Sequence, residues 1–315
     1  MHAAVVTSFD TPPHYQRFPT PTPRAADEVV LDVLASGLHP RVRSQANGSH
    51  YTSTRELPLV PGIDGVGRAP DGSLRYFVLF DTVMGAMAER TLVDPRRSVV
   101  LPEGSDPVSV AAAMNPAMSS WVALRRRIDF APGQAVLVLG ATGAAGRLAV
   151  QVAKHLGAGR VIGAGRRPDR LATLTDLGAD ATVLLDGDAA ENLGRAAGDV
   201  DVVLDYLWGP VTAAVMPAVV TNRADPGTPL TWIEIGSVAG RSAAIPSAAL
   251  RAARLSIVGS GQGSVPTDDI MAELPELAAE IANGTFTIDA RAVPLTDVEA
   301  AWTNSAGTER VVITP

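Results

Sequence analysis

The sequence predicts an α/β fold, a doubly wound parallel sheet of six strands joined to a β-rich domain. Three observations predict it. An apolar run, Ala135 to Leu139, enters a glycine-rich turn and leaves it as an amphipathic helix. From Gln134 to about Val258, short apolar segments alternate with helical ones, the pattern of βαβ units in a parallel sheet. Before them, roughly the first 115 residues carry short alternating apolar runs separated by Pro, Gly and Asp, which read as strands and turns.

In chain order, the β-rich part predicts strands at Ala3–Val6, Val29–Leu34, Leu74–Phe80 and Ala88–Val93. Pro19, Pro21 and Pro23 make an extended connector, because each proline fixes φ and removes a backbone donor. The pattern turns helical from Val108 through Ala113 and again from Ser119 to Arg127, where Arg125-Arg126-Arg127 reads as a solvated helix end. The six sheet strands are predicted at Val136–Leu139, Val161–Ala164, Ala181–Leu184, Val202–Leu204, Leu230–Ile235 and Leu255–Val258. The first helix between them runs to about Leu156. A further helix at about Asp268–Ala282 follows, and the tail returns to β character at Phe286–Val293 and Val311–Ile313. The expected domains are therefore nested: 1–117 with 286–315, and 118–285 between them, with a ligand cleft where the two meet.

Composition narrows the function classes. A chain of 315 residues with 46% hydrophobic and 19% charged residues has the make-up of a globular protein of two ordinary domains. Its net charge of −7 gives no global basic field for nucleic acid or an anionic membrane. Lys154 is the only lysine, and there is no cysteine, which removes disulfides, thiol redox chemistry and Cys-containing metal sites. The N-terminal residues lack the basic-then-apolar pattern of a secretory signal, and no apolar run suggests a membrane span. A cytoplasmic enzyme acting on a small molecule, with no nucleic-acid or membrane partner, is expected.

The glycine turn carries the first chemistry. Gly140-Ala141-Thr142-Gly143-Ala144-Ala145-Gly146 has the spacing G-x-x-G-x-x-G between a strand and a helix. Glycines let the backbone approach a pyrophosphate, and the helix N-terminus supplies N–H groups and partial positive charge. A purely structural βαβ turn is the competing reading. At the end of the second strand, where an NAD site places an acid for the adenosine ribose, stands Gly165, followed by Arg166, Arg167 and Arg170. Guanidinium forks suit a 2′-phosphate, so the pattern predicts NADPH over NADH, against the simpler reading of solvated loop charges. Tyr206 and Trp208 follow the fourth strand and Gly236-Ser237 the fifth, both at strand C-termini and so near cofactor. Trp208 is a candidate pocket wall or a packing residue.

The chain resembles the medium-chain dehydrogenase/reductase superfamily, in particular its zinc-free quinone oxidoreductase branch. The resemblance runs through residues 28–40, 58–67, 85–89, 101–104, the glycine turn and 310–315. It implies a Rossmann NADP-binding domain, a GroES-like catalytic domain, and a homodimer formed through an edge strand, with Leu230–Ile235 or the sixth strand as candidates. The positions matching the family's catalytic zinc ligands are His39, Ile63 with Asp64 beside it, and Asn115; isoleucine cannot bind zinc and catalytic zinc takes three protein ligands, so no metal is expected. Without a metal, the resemblance implies hydride transfer to a quinone or conjugated enone, whose developing charge is delocalised onto oxygen. An enoyl-thioester reductase and a catalytically silent NADPH-binding sensor are the alternatives. His39 is a candidate donor to substrate oxygen, or a structural histidine. Tyr51 is a candidate proton donor, or an apolar wall. The resemblance places Asn115 and Ser119 on the nicotinamide side. It puts Gln262, in Ser260-Gly261-Gln262-Gly263, where some quinone reductases carry a substrate-facing arginine.

Overall fold

Short strands make up most of the N-terminal segment. The computed structural model describes every residue except Arg24, Ala26, Phe80, Asp81 and 305–308. β1 (His2–Val5) and β2 (His14–Arg17) pair antiparallel, and β2 escapes a pattern search because HYQR carries no apolar alternation. β3 (Val29–Gly37) is the long central strand. The helix α1 (Pro40–Ala46) then starts with proline at its first position, where no N–H is needed. β4 (Asp64–Arg68), β5 (Leu74–Val78), β6 (Arg90–Val93) and β7 (Ser98–Val100) follow. The run read as Leu74–Phe80 thus ends at Val78, with Phe80 outside the described residues. The run read from Ala88 starts at Arg90, Ala88 making only an isolated bridge to Ala3.

Two helical readings merge into one. α2 (Pro107–Val122) passes through Pro116 without ending, and a π turn at Ala123–Arg127 extends it. An interior proline costs about 3 kcal/mol, but α2 buries Val110, Ala111, Ala113, Met114, Ala117 and Trp121 almost completely, and that burial outweighs the local break. The helix end expected to be solvated at Arg125–Arg127 is exposed at Arg125 and Arg126, and its arginines are also paired. Arg125 Nε lies 2.6 Å from Glu273 Oε2, Arg126 Nε donates to Glu273 Oε1 at 2.5 Å, and Arg127 Nε donates to the Gly259 carbonyl at 2.7 Å. Glu273 is buried and also accepts from Trp121 Nε1 at 2.8 Å, so a buried carboxylate is paired with arginines that stay in contact with water.

The alternating segment folds as its periodicity predicts. It contains β8 (Ala135–Leu139), α3 (Ala144–His155), β9 (Arg160–Gly165), α4 (Pro168–Leu171), β10 (Ala181–Leu184), α5 (Ala189–Ala197), β11 (Val202–Asp205), α6 (Gly209–Thr221), β12 (Leu230–Glu234), α7 (Ala249–Ala252) and β13 (Leu255–Gly259). All six strands are parallel, in the order β10-β9-β8-β11-β12-β13. The order reverses between β8 and β11, the place where open α/β sheets bind ligands. The core of this sheet holds Leu137, Leu139, Ile162, Val203, Val219 and Trp232, all fully buried. β12 is paired on both sides, by β11 and β13, so Leu230–Ile235 cannot serve as an exposed edge; the sixth strand, β13, is one of the sheet's two edges, with β10 the other.

The tail crosses α8 (Thr267–Ala282) and returns as β14 (Ala290–Pro294), α9 (Val298–Thr303) and β15 (Arg310–Thr314). Residues 286–289 carry no strand, although the reading from Phe286 expected one. β15 pairs parallel with β14 and antiparallel with β3, giving the order β14-β15-β3-β4-β5-β7, with β6 also on β3. The chain divides into two compact units, Met1–Asn115 with Leu274–Pro315, and Pro116–Glu273.

Candidate functional site

The glycine turn of the second unit is built by backbone constraint. Gly140 follows β8 with φ of +89°, a conformation glycine adopts without steric cost. The N–H groups of Gly140 and Ala141 donate to the Ala164 carbonyl at 2.9 and 2.8 Å, which ties the turn to β9. A Cβ on Gly146 would stand 2.2 Å from the Gly140 carbonyl oxygen, so the third glycine is required for helix and turn to approach. Ala144 and Ala145 open α3, and Gly143 precedes it with no side chain capping the helix. An uncapped N-terminus at the sheet's switch point leaves N–H donors for an anion.

Gly165 closes β9 against Thr142, where any Cβ would fall within 2.4 Å of the threonine methyl. The three arginines that follow divide their roles. Arg166 is exposed. Arg167 forks onto Asp169 at 3.0 and 2.7 Å, an exposed pair. Arg170 donates from Nη1 to the Thr142 carbonyl at 2.7 Å and so braces the glycine turn from below. No acid stands at Gly165, and the Asp169 carboxylate is already engaged by Arg167.

At the end of β11, Tyr206 is buried and its hydroxyl lies 2.9 Å from Ser119 Oγ, which joins two predicted residues 87 positions apart. Burial pushes the Tyr206 phenol up to about 12, although its hydrogen bonds to serine hydroxyls pull the other way. Trp208 is half-buried, packs on the sheet core, and has φ of +52°. Gly236 donates its N–H to the Asp205 carbonyl at 3.1 Å, and Ser237 beside it is exposed. Gln262 is half-buried in the turn after β13, in a bridge to Val265.

In the first unit, His39 Nε2 lies 2.9 Å from Asp64 Oδ1, and the Tyr76 hydroxyl donates to Asp64 Oδ2 at 2.9 Å. All three residues are buried. Desolvation lowers the His39 pKa below its ordinary 6.5, although the Asp64 charge and hydrogen bond pull upward. Burial, then the Asp64 charge, raises the Tyr76 phenol well above its usual value. Tyr51 is 75% exposed, its ring 4.3 Å from that of His50. Asn115 is half-buried on α2. Sequence reading named Asp64 only as a neighbour of Ile63 and missed Tyr76 and Asp205. For Asp205 a signal existed: an acid directly closes the apolar run Val202 to Leu204.

Residues 144–281 match the family model described as zinc-binding dehydrogenase. Over the whole chain and the whole of its relative, the sequence is 32% identical to a protein named probable NADPH-dependent quinone reductase tdiC from Emericella nidulans. The chain belongs to the medium-chain dehydrogenase/reductase superfamily, in its quinone oxidoreductase-like branch. Within the superfamily, 58% of the chain is 27% identical to half of the chloroplastic NADPH-dependent alkenal/one oxidoreductase of Arabidopsis thaliana. The quinone oxidoreductase of Thermus thermophilus, solved alone and with NADPH, superposes with a TM-score of 0.83 at 26% identity, covering both chains completely.

The zinc of the matched model does not fit the residues present. His39 and Asp64 are the only oxygen or imidazole donors of the expected set apart from Asn115, and they are bonded to one another, with Tyr76 on the second carboxylate oxygen. Among the described residues, no group of three His, Cys, Asp or Glu side chains could hold a metal. The nucleotide residues do fit a dinucleotide: the turn has the glycines, the backbone donors and the uncapped helix it needs.

Proposed function

We propose that this protein is an NADPH-dependent, zinc-independent oxidoreductase that reduces a quinone or conjugated enone. The carrying observation is the glycine turn at the β8/β11 switch point, followed at the end of β9 by arginines in place of an acid. The names of the fungal, plant and Thermus relatives support the same reading.

In this reading the backbone N–H groups at Ala144, Ala145 and Gly146 receive the pyrophosphate, and Arg166 with Arg167 receives the 2′-phosphate. The cofactor supplies a hydride. Tyr206, held by Ser119, lines the cofactor side with Gly236, Ser237 and Asn115, while Trp208 and Gln262 line the acceptor pocket. A neutral imidazole has one N–H and one lone pair. With Nε2–H given to Asp64, His39 offers Nδ1 as an acceptor, and the lowered pKa keeps it neutral near pH 7. The proton that follows the hydride is therefore assigned to Tyr51 or to water, with His39 orienting a hydroxyl-bearing partner. We also propose a homodimer along β13, an edge of the sheet on which Ile257 is 37% accessible.

The test is equilibrium binding of NADPH and NADH, followed by a steady-state screen of quinones, enones and enoyl thioesters. Preference for NADPH with turnover of quinones or enones is expected. Equal affinity for NADH, or turnover confined to enoyl thioesters, would sink the reading.

A further inference from the structure

Four donors converge on one buried carboxylate at the end of β11. Asp205 is fully buried. Its Oδ1 accepts from the backbone N–H groups of Leu207 at 2.8 Å and Trp208 at 2.9 Å. Its Oδ2 accepts from Thr212 Oγ1 at 2.5 Å and from Trp232 Nε1 at 2.9 Å. The backbone carbonyl of the same residue accepts from Ile235 and Gly236. One residue thus ties together the turn after β11, the start of α6, the neighbouring strand and the segment that leaves it.

The turn it holds is strained. Trp208 sits at φ +52°, ψ −158°, a region used almost only by glycine. A tryptophan stays there only if its surroundings over-determine it, and the two N–H bonds to Asp205 Oδ1 do so. The strained turn lies directly on the nucleotide turn. A Cβ on Gly140 would meet Leu207 Cδ2 at 3.1 Å and Tyr206 Cβ at 3.3 Å. On the other side, a Cβ on Gly236 would meet the Tyr206 carbonyl oxygen at 3.3 Å.

We infer that Asp205 is a positioning residue for the dinucleotide site: it holds Tyr206, Leu207 and Trp208 in a strained turn that fixes the wall beside Gly140. This rests on the NADPH reading of the glycine turn. Only an acid satisfies all four donors, because both oxygens must accept. An apolar side chain would leave four donors without this partner, the Thr212 hydroxyl and Trp232 Nε1 among them fully buried. Asparagine offers one acceptor oxygen and one amino group. With its oxygen toward the turn it still serves Leu207 and Trp208, and the Thr212 hydroxyl rotates to accept from the amino group, but Trp232 Nε1 loses its acceptor, so asparagine keeps the turn at a cost in stability.

The experiment measures NADPH affinity by fluorescence titration together with thermal melts, on wild type, Asp205→Ala, Asp205→Asn, Leu207→Ala and Glu273→Gln. Asp205→Ala is expected to weaken NADPH binding at least tenfold, and Asp205→Asn to restore it to within about threefold of wild type. Leu207→Ala, which removes the contact with Gly140, is expected to weaken binding as well. Glu273→Gln is expected to lower the melting temperature and leave the affinity unchanged, so lost stability alone does not mimic the effect. If wild type binds NADPH and folded Asp205→Ala binds it equally well, the inference is wrong. Should Asp205→Ala not fold, wild-type affinity in Leu207→Ala overturns it instead. A wild type that binds no NADPH rejects the cofactor assignment itself, a separate result.

Discussion

His39 and Asp64, 25 positions apart, share a buried hydrogen bond of 2.9 Å. The carboxylate is completed by Tyr76 on its other oxygen, so the position is filled by an internal polar network. Folding then depends on pH through His39. Burial lowers its folded pKa, while the unfolded chain titrates near the ordinary 6.5. Between those values the unfolded state binds more protons, so stability is full above about pH 6.5 and falls as pH drops below it. Thermal melts from pH 8 to pH 5 should show wild type losing more stability than His39→Gln, whose amide nitrogen takes the place of Nε2 and still donates to Asp64. Parallel pH profiles would refute the assignment.

Tyr206 gives the opposite sign. Its folded phenol is raised to about 12, so the unfolded tyrosine ionises first, near 10. Stability from this residue is present below pH 10 and is lost as pH rises through that value. Tyr206→Phe should cost about 1 kcal/mol at pH 7 through the lost Ser119 hydrogen bond. It should also flatten the alkaline decline, measured by urea unfolding at pH 7 and pH 10.5.

Arg166 is exposed, whereas Arg167 is engaged by Asp169. Arg166→Ala should weaken NADPH binding about tenfold and leave NADH unchanged, since only the former carries the extra phosphate. Asp169→Asn releases Arg167 and should tighten NADPH about threefold. Equal effects on both nucleotides in the titration would show that the arginines do not read the 2′-phosphate.

Glu273 accepts from Trp121 and pairs with Arg125 and Arg126. Because both guanidinium groups keep contact with water, Glu273→Gln should cost about 2 kcal/mol rather than the full penalty of a broken buried pair. A fall in melting temperature of about 4–8 °C is the expected readout for a unit of this size. No change would mean the cluster is only a surface ion pair.

Much of this architecture was legible in the residue order. β8 to β13 follow apolar runs of strand length, and Gly140, Gly143 and Gly146 mark the turn that opens α3. What failed did so where long-range packing overrode a local rule. Pro116 reads as a break, yet α2 continues because its apolar face is buried. Arg125 to Arg127 read as a solvated helix end, and Arg125 and Arg126 are exposed, but a run of arginines carries no mark of the buried Glu273 they pair with. Leu230–Ile235 reads as well as an edge as an interior strand, since strand order is absent from the pattern of a single strand.

By itself the sequence determined the nucleotide-binding half: the alternation of strand and helix, the glycine turn, and the missing acid at Gly165. These are short-range properties, because helix period, strand period and tolerance of a left-handed turn depend on near neighbours alone. Only the tertiary structure decided which polar side chains meet. His39 finds Asp64, Ser119 finds Tyr206, and Trp232 finds Asp205, across 25, 87 and 27 positions. The reason is energetic. A buried polar group must be paired with whatever donor or acceptor three dimensions bring beside it, and no local spacing records that neighbour.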